Sequence, residues 1–177
     1  MSAAEAVAPA IAWTDRKRYL WLFGLLVPTF PFMGGALAWL TGWSVFWYIG
    51  PFLLFVIIPA IDMLAGLDRS NPPDELIKTL EEDRYYRWIT YLFLPLQYAG
   101  LVWACWLWAG DSLSLVAEIG LALTVGTVAG VGINTAHELG HKREKAERWL
   151  AKVALAQSFY GHFWVEHNRG HHVRVAT

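Results

Sequence analysis

Residues 113–133 read LSLVAEIGLALTVGTVAGVGI, an apolar run with a single charge at Glu118. About 20 mostly apolar residues are what an α-helix needs to cross a hydrocarbon core roughly 30 Å thick. Three more stretches of this kind precede it, at residues 19–40, 43–64 and 88–109. Thr41-Gly42 joins the first two and Gly110-Asp111-Ser112 the last two. Turns this short predict two antiparallel helical hairpins. Pro28, Pro31, Pro51, Pro59 and Pro95 fall within or at the ends of spans, where neighbouring helices can satisfy the backbone groups they free. The fold class is therefore all-α, a multi-spanning helical membrane protein with four transmembrane helices and further helices outside the bilayer. Residues 1–177 form one membrane-embedded domain.

Composition agrees with the spans. Of 177 residues 56% are hydrophobic and 16% charged, against an apolar share of roughly 45–50% in soluble domains. Eleven Trp and seven Tyr suit membrane–water boundaries. A net charge of −1 offers no basic stripe, which excludes nucleic acid as a partner. Cys105 is the single cysteine, so there is neither an intrachain disulfide nor a thiolate cluster; within an apolar run it is expected to be an inert buried thiol. Residues 1–12 are Ala-rich without a basic n-region, and are expected to be a short disordered tail rather than a signal peptide.

Orientation follows from charge. Arg16, Lys17 and Arg18 precede the first span, and Arg69, Lys78, Arg84 and Arg87 lie between the second and third. The other seven of the 14 Lys and Arg follow the fourth span, and neither hairpin turn carries any. The positive-inside rule makes the basic side, with the N-terminus, cytoplasmic. Between the second and third spans, Asn71-Pro72-Pro73-Asp74-Glu75 predicts a helix after a proline turn, capped by Asp74 or Asn71.

All six histidines lie between positions 137 and 172. Five form two boxes, His137-Glu138-Leu139-Gly140-His141 and His167-Asn168-Arg169-Gly170-His171-His172. Residues four apart share a helix face, so His137 with His141, and His167 with His171, can converge on an ion. His172 is turned roughly 100° from His171 and can address a second metal. Histidines that merely cap helix ends do not recur at this spacing. Imidazole suits zinc and iron alike, and five imidazoles exceed what one ion needs. The first box also matches the H-E-x-x-H pattern of zinc proteases, with Glu138 as base. Residues 149–165 are fairly apolar but carry Lys152, Gln157, Ser158 and His162. Were they to span the bilayer, the boxes would lie on opposite faces, so an interfacial or re-entrant helix is expected. His162 is half a helical turn from His171 and is expected to pack or hydrogen-bond.

The residues around the boxes carry a resemblance. Asn134-Thr135-Ala136 enters the first box, and His141-Lys142 and Glu147-Arg148-Trp149 follow. Tyr160-Gly161-His162-Phe163 precedes Glu166 and the second box, which runs on to Val175-Ala176-Thr177. With Asn71-Pro72-Pro73 and Arg84-Tyr85-Tyr86-Arg87, the sequence resembles the N-terminal portion of the membrane-bound alkane monooxygenases. The resemblance implies a six-helix inner-membrane enzyme with two non-haem irons on the cytoplasmic side. It implies His137, His141, His167, His171 and His172 as ligands, with further histidines beyond Thr177. The implied electron donor is rubredoxin, with rubredoxin reductase upstream, and the implied reaction uses O2 to hydroxylate the terminal methyl of a medium-chain alkane. Residues 1–177 alone are expected to be inactive.

A terminal C–H bond yields to no acid or base, so a redox metal must carry that step. Regioselectivity then needs a narrow apolar channel, because hydrophobic contacts discriminate weakly by themselves. Glu118 reads as interfacial. Asp62, near the basic end of the second span, is expected to face the bundle interior, either orienting a ligand histidine, as Glu138 also can, or pairing with a nearby cation. Leu54, Phe55 and Ile58 share its face at helical spacing and are expected to border the channel. The alternatives are a fatty-acyl desaturase or hydroxylase, an intramembrane zinc protease, and a non-catalytic membrane metal-binding segment.

Overall fold

The computed structural model describes residues 13–68 and 70–171, which are helical apart from turns and short connections. The tail at residues 1–12, Arg69 and His172 lie outside the described residues. Four helices, the first to fourth spans in chain order, are long and apolar enough to cross a membrane: Arg18–Thr41, Ser44–Ala65, Arg84–Ala109 and Leu115–Gly140. The hairpins are those expected from the short turns. Gly42 ends the first span at φ 75°, a left-handed conformation that favours glycine, and its N–H bonds Ala38. The fourth span runs seven residues beyond the apolar run, to Gly140, so the first histidine box lies on the same rigid helix.

Proline shapes the first two spans. The first is 3-10 helical over Arg18–Thr29, around Pro28, and α-helical from Phe30 to Thr41. The second passes through a 3-10 turn (Ser44–Tyr48), one α turn (Ile49–Phe52) and a π turn (Leu53–Ile57) before its α-helical end Ile58–Ala65. Pro51 and Pro59 each lack an N–H, and each ring crowds the carbonyl four residues earlier. Pro51 displaces the Trp47 carbonyl, and Thr124 of the fourth span takes it up together with the neighbouring Gly50 N–H. Its hydroxyl donates to the Trp47 carbonyl at 2.6 Å and accepts from the Gly50 N–H at 3.1 Å, fully buried. A side chain at position 50 would place its Cβ 2.8 Å from the Thr124 Cα, so only glycine permits this approach.

Two cores result. Towards the hairpin turns, Ala38, Trp47, Ala104, Leu107 and Leu121 are buried together, with Trp103 packed against them and Gly35 pressed beneath the Trp103 and Trp47 rings. Towards the charged end, Phe93, Leu94, Ala136, Leu139, Ala151 and Leu155 form the second core. It locks the last turns of the fourth span against the helix Lys145–Ala156.

The basic segments meet at one end, as an even number of crossings between them requires. Lys17 pairs with Asp68, Arg18 lies 3.9 Å from Asp83 and over the Tyr85 ring, and the Tyr86 hydroxyl donates to Asp15. Hydrogen bonds from Lys17 and Ser70 hold the Asp68 carboxyl well below the usual carboxylate range. The helix Asp74–Glu82 forms as expected but without the predicted cap: Pro73 precedes it, and Asp74 and Glu75 sit inside its first turn, facing the positive end of the dipole.

Two side chains depart from expectation. Cys105 is exposed on the outer surface of the third span, because the buried side of that helix is taken by Phe93, Gln97, Gly100, Ala104 and Leu107. Asp62 is likewise exposed, on a helical end that has no buried residue. The expectation assumed that this end of the second span packs into the bundle. The segment Ile58–Ala65 instead buries no residue, so Ile58 and Asp62 are both exposed and have no interior to face.

Candidate metal centre

The last turns of the fourth span carry the first box. Ala136, Leu139 and Gly140 are buried in the second core. At 100° per residue, His137 and His141 therefore project from the opposite side of the helix. His141 caps the helix, its N–H on the His137 carbonyl at 3.3 Å.

The second box reaches them by a fold-back. The chain leaves His141, forms the helix Lys145–Ala156 and turns through residues 157–162. It then returns as Phe163–Val165 and a π turn over Glu166–His171. No membrane-spanning helix intervenes among the described residues, so both boxes occupy one end of the bundle. The fold-back helix is fixed to the third span by polar contacts. Glu147, 2% exposed, accepts a hydrogen bond from the Tyr91 hydroxyl and lies 3.7 Å from the Arg87 guanidinium. Arg87 also holds Glu144 at 2.9 Å, and the Tyr98 hydroxyl donates to the Val153 carbonyl.

Among the described residues three imidazoles converge as a result. His141 Nε2 stands 3.0 Å from His137 Nε2 and 3.2 Å from His167 Nε2. One ligand atom from each of the three lies within 4.8 Å of the others. Metal–imidazole bonds are about 2.1 Å. Two such nitrogens on one ion are then roughly 3.0 Å apart at a right angle and roughly 3.4 Å apart in a tetrahedron. The two separations from His141 fall in that interval and the third pair lies within 4.8 Å, so these residues could hold a metal ion. His171 stacks on His167 with ring centroids 5.5 Å apart but is not one of the converging three. His162 is exposed with its ring against Tyr160, and takes no part.

Glu138 contacts His137 from behind. Its Oε1 lies 3.4 Å from His137 Nδ1, on the other side of the ring from Nε2. A carboxylate there favours the proton on Nδ1 and leaves the Nε2 lone pair for a metal. The base of an H-E-x-x-H protease has to face the open position of its metal. Glu138 instead lines a cavity of about 510 Å³ at the charged end, with Arg87, Lys142 and Glu147.

A second concavity, about 500 Å³, lies between the second and fourth spans. Leu54 and Phe55 form one wall; Ala122, Gly126, Gly130 and Asn134 are on the other. A Cβ added at Gly126 or Gly130 would meet nothing within 4 Å, so these glycines keep the groove open. The groove ends at Asn134, one helical turn before His137. Ile58 does not line it. Glu118 lies half-buried in the first turn of the fourth span, at the far end from the histidines.

Sequence reasoning missed two supporting residues. Phe163 stacks on His167, centroids 5.0 Å apart and planes at 17°, and its i, i+4 spacing to His167 was a readable signal. Glu147 gave none, because it acts on a helix distant in sequence.

No family model matches the chain. An alkane 1-monooxygenase of Ectopseudomonas oleovorans is 46% identical over 166 residues, 93% of this chain and 41% of the relative. Alkane 1-monooxygenase 1 of Alcanivorax borkumensis is 44% identical over 165 residues, with the same coverage of each chain. The alkane 1-monooxygenase of Acinetobacter baylyi is 41% identical over 171 residues, 92% of this chain and 41% of its own length. The chain thus spans about two fifths of the curated relatives it matches.

Proposed function

The chain belongs to the alkane 1-monooxygenase family, and from that premise we propose that it is the metal-box portion of a membrane alkane hydroxylase. The reaction inserts one oxygen atom of O2 into the terminal methyl of a medium-chain alkane and releases a primary alcohol. The observation that carries this reading is the convergence of His137, His141 and His167 at the end of a membrane helix, one turn from an apolar groove.

His137, His141, His167, His171 and His172 hold two iron ions, together with ligands from outside this chain. Iron bound there supplies the redox chemistry that a terminal C–H bond demands. The protein's own part is geometric. Glu138 holds the His137 ring in the tautomer that binds metal. Leu54 and Phe55, facing Ala122, Gly126 and Gly130, admit an unbranched chain end-on from the bilayer. Asn134 closes the groove beside the histidines. Rubredoxin donates electrons at the basic end of an inner-membrane protein, and the distribution of Lys and Arg supports a cytoplasmic side for that end.

The test is to purify the full-length protein anaerobically, measure its metals, and supply reduced rubredoxin, O2 and octane. About two irons per chain and 1-octanol formation support the proposal. An unsaturated product would favour the desaturase reading, and zinc with peptide cleavage the protease.

A further inference from the structure

The second histidine box returns to the first across a gap of 26 residues between His141 and His167, and something must hold it there. The contact lies at Lys152, midway along the helix Lys145–Ala156. Its Nζ is 4.6 Å from the Trp149 ring, one turn earlier on the same helix, and 4.5 Å from the Trp164 ring on the returning segment. Both distances are inside the roughly 6 Å over which an ammonium is attracted to an aromatic face. Trp164 follows Phe163 directly, and the Phe163 ring lies flat on His167. One cation between two indoles thus ties the helix that leaves the first box to the turn that presents the third imidazole.

We propose that Lys152 is a positioning residue for the metal centre: clamped between Trp149 and Trp164, it fixes the Phe163–His171 segment so that His167 meets His137 and His141. The proposal rests on the assignment of the three histidines as metal ligands. Apolar packing of Phe163 and Trp164 against Ala151, Ala154 and Leu155 sets the general course of the segment. That packing is non-directional, and a ring can slide on it by an ångström or more. A cation bracketed by two aromatic faces adds an attraction tied to those two rings, and it links the helix after the first box to the segment that brings His167 within 3.2 Å of His141.

The experiment uses the full-length protein in lipid nanodiscs, loaded with Fe²⁺ without oxygen and titrated with a chelator. Lys152→Met keeps length and apolar contact but removes the charge; Lys152→Arg keeps a cation that stacks on indole. Lys152→Met should weaken iron retention about fivefold, the upper end of what a partly exposed cation–π contact is worth. Arg should restore it to within about twofold, and Trp164→Phe, which keeps a ring with a weaker face, should fall between. The ligand-field spectrum of the Co²⁺-loaded protein should change in Lys152→Met and revert in Lys152→Arg, a readout that loss of stability alone would not move. His167→Ala is the control, and should lose iron. If it does, while Lys152→Met and Trp164→Phe both keep native affinity and spectrum, the clamp is refuted. Failure of Arg to rescue also overturns the cation–π basis. Iron retained undiminished by His167→Ala would refute the metal reading itself.

Discussion

Thr124→Val tests how the second span tolerates its prolines. The exchange keeps the shape of the side chain and removes one hydroxyl that serves two backbone groups, the Trp47 carbonyl and the Gly50 N–H. Thr124 is 1% exposed, so water cannot replace it. A buried polar group left unpaired costs about 1–3 kcal/mol in soluble proteins. Within membranes, interhelical hydrogen bonds are worth nearer 0.6 kcal/mol on average and at most about 1.7, because the unfolded state also finds partners. Two groups at about 1 kcal/mol each give an expected loss of about 2 kcal/mol. Thr124→Ser retains the hydroxyl and gives up one methyl, which should cost less than about 1 kcal/mol. Unfolding in mixed micelles by added sodium dodecyl sulfate, followed by circular dichroism, should rank the proteins wild type, Ser, then Val. A Val variant as stable as wild type would mean that the Trp47 carbonyl and the Gly50 N–H are satisfied without the hydroxyl, and the role given to Thr124 would be wrong.

Ala substitution of His137, His141, His167, His171 or His172 should lower the iron content of the full-length protein, His162→Ala should spare it, and Glu138→Gln should leave iron largely bound; metal analysis decides. Leu54→Ala or Phe55→Ala, which widen the groove wall, should lengthen the preferred alkane with little loss of iron, and an unchanged product profile across a chain-length series in both would place the substrate path elsewhere. Ile58→Ala, outside the groove lining, should leave that profile as it is. Cysteines at Gly42 and Ser112 in a variant lacking Cys105 should be labelled from the periplasm and those at Lys78 and Lys145 from the cytoplasm; periplasmic labelling at Lys145 would break the four-crossing topology.

Four spans, two hairpins and the meeting of the described basic segments at one end were legible in the sequence. Each follows from local quantities: the length of an apolar run, the brevity of a turn, and the side on which charges fall. The pairing of His137 with His141 was legible for the same reason, since spacing by four on a helix brings two rings together whatever surrounds them. Tertiary structure alone decided that His167, rather than His171, completes the converging group, because that choice depends on the turn through residues 157–162 and on ring contacts of Phe163 and Trp164 that have no period. It likewise decided that Leu54 and Phe55 line the groove while Ile58 and Asp62 do not. Helical period gives the face that positions share, but not whether a neighbouring helix covers that face. The segment Ile58–Ala65 buries no residue, whereas around Pro51 the fourth span packs close and Thr124 takes up the Trp47 carbonyl, and such pairings join residues more than seventy positions apart.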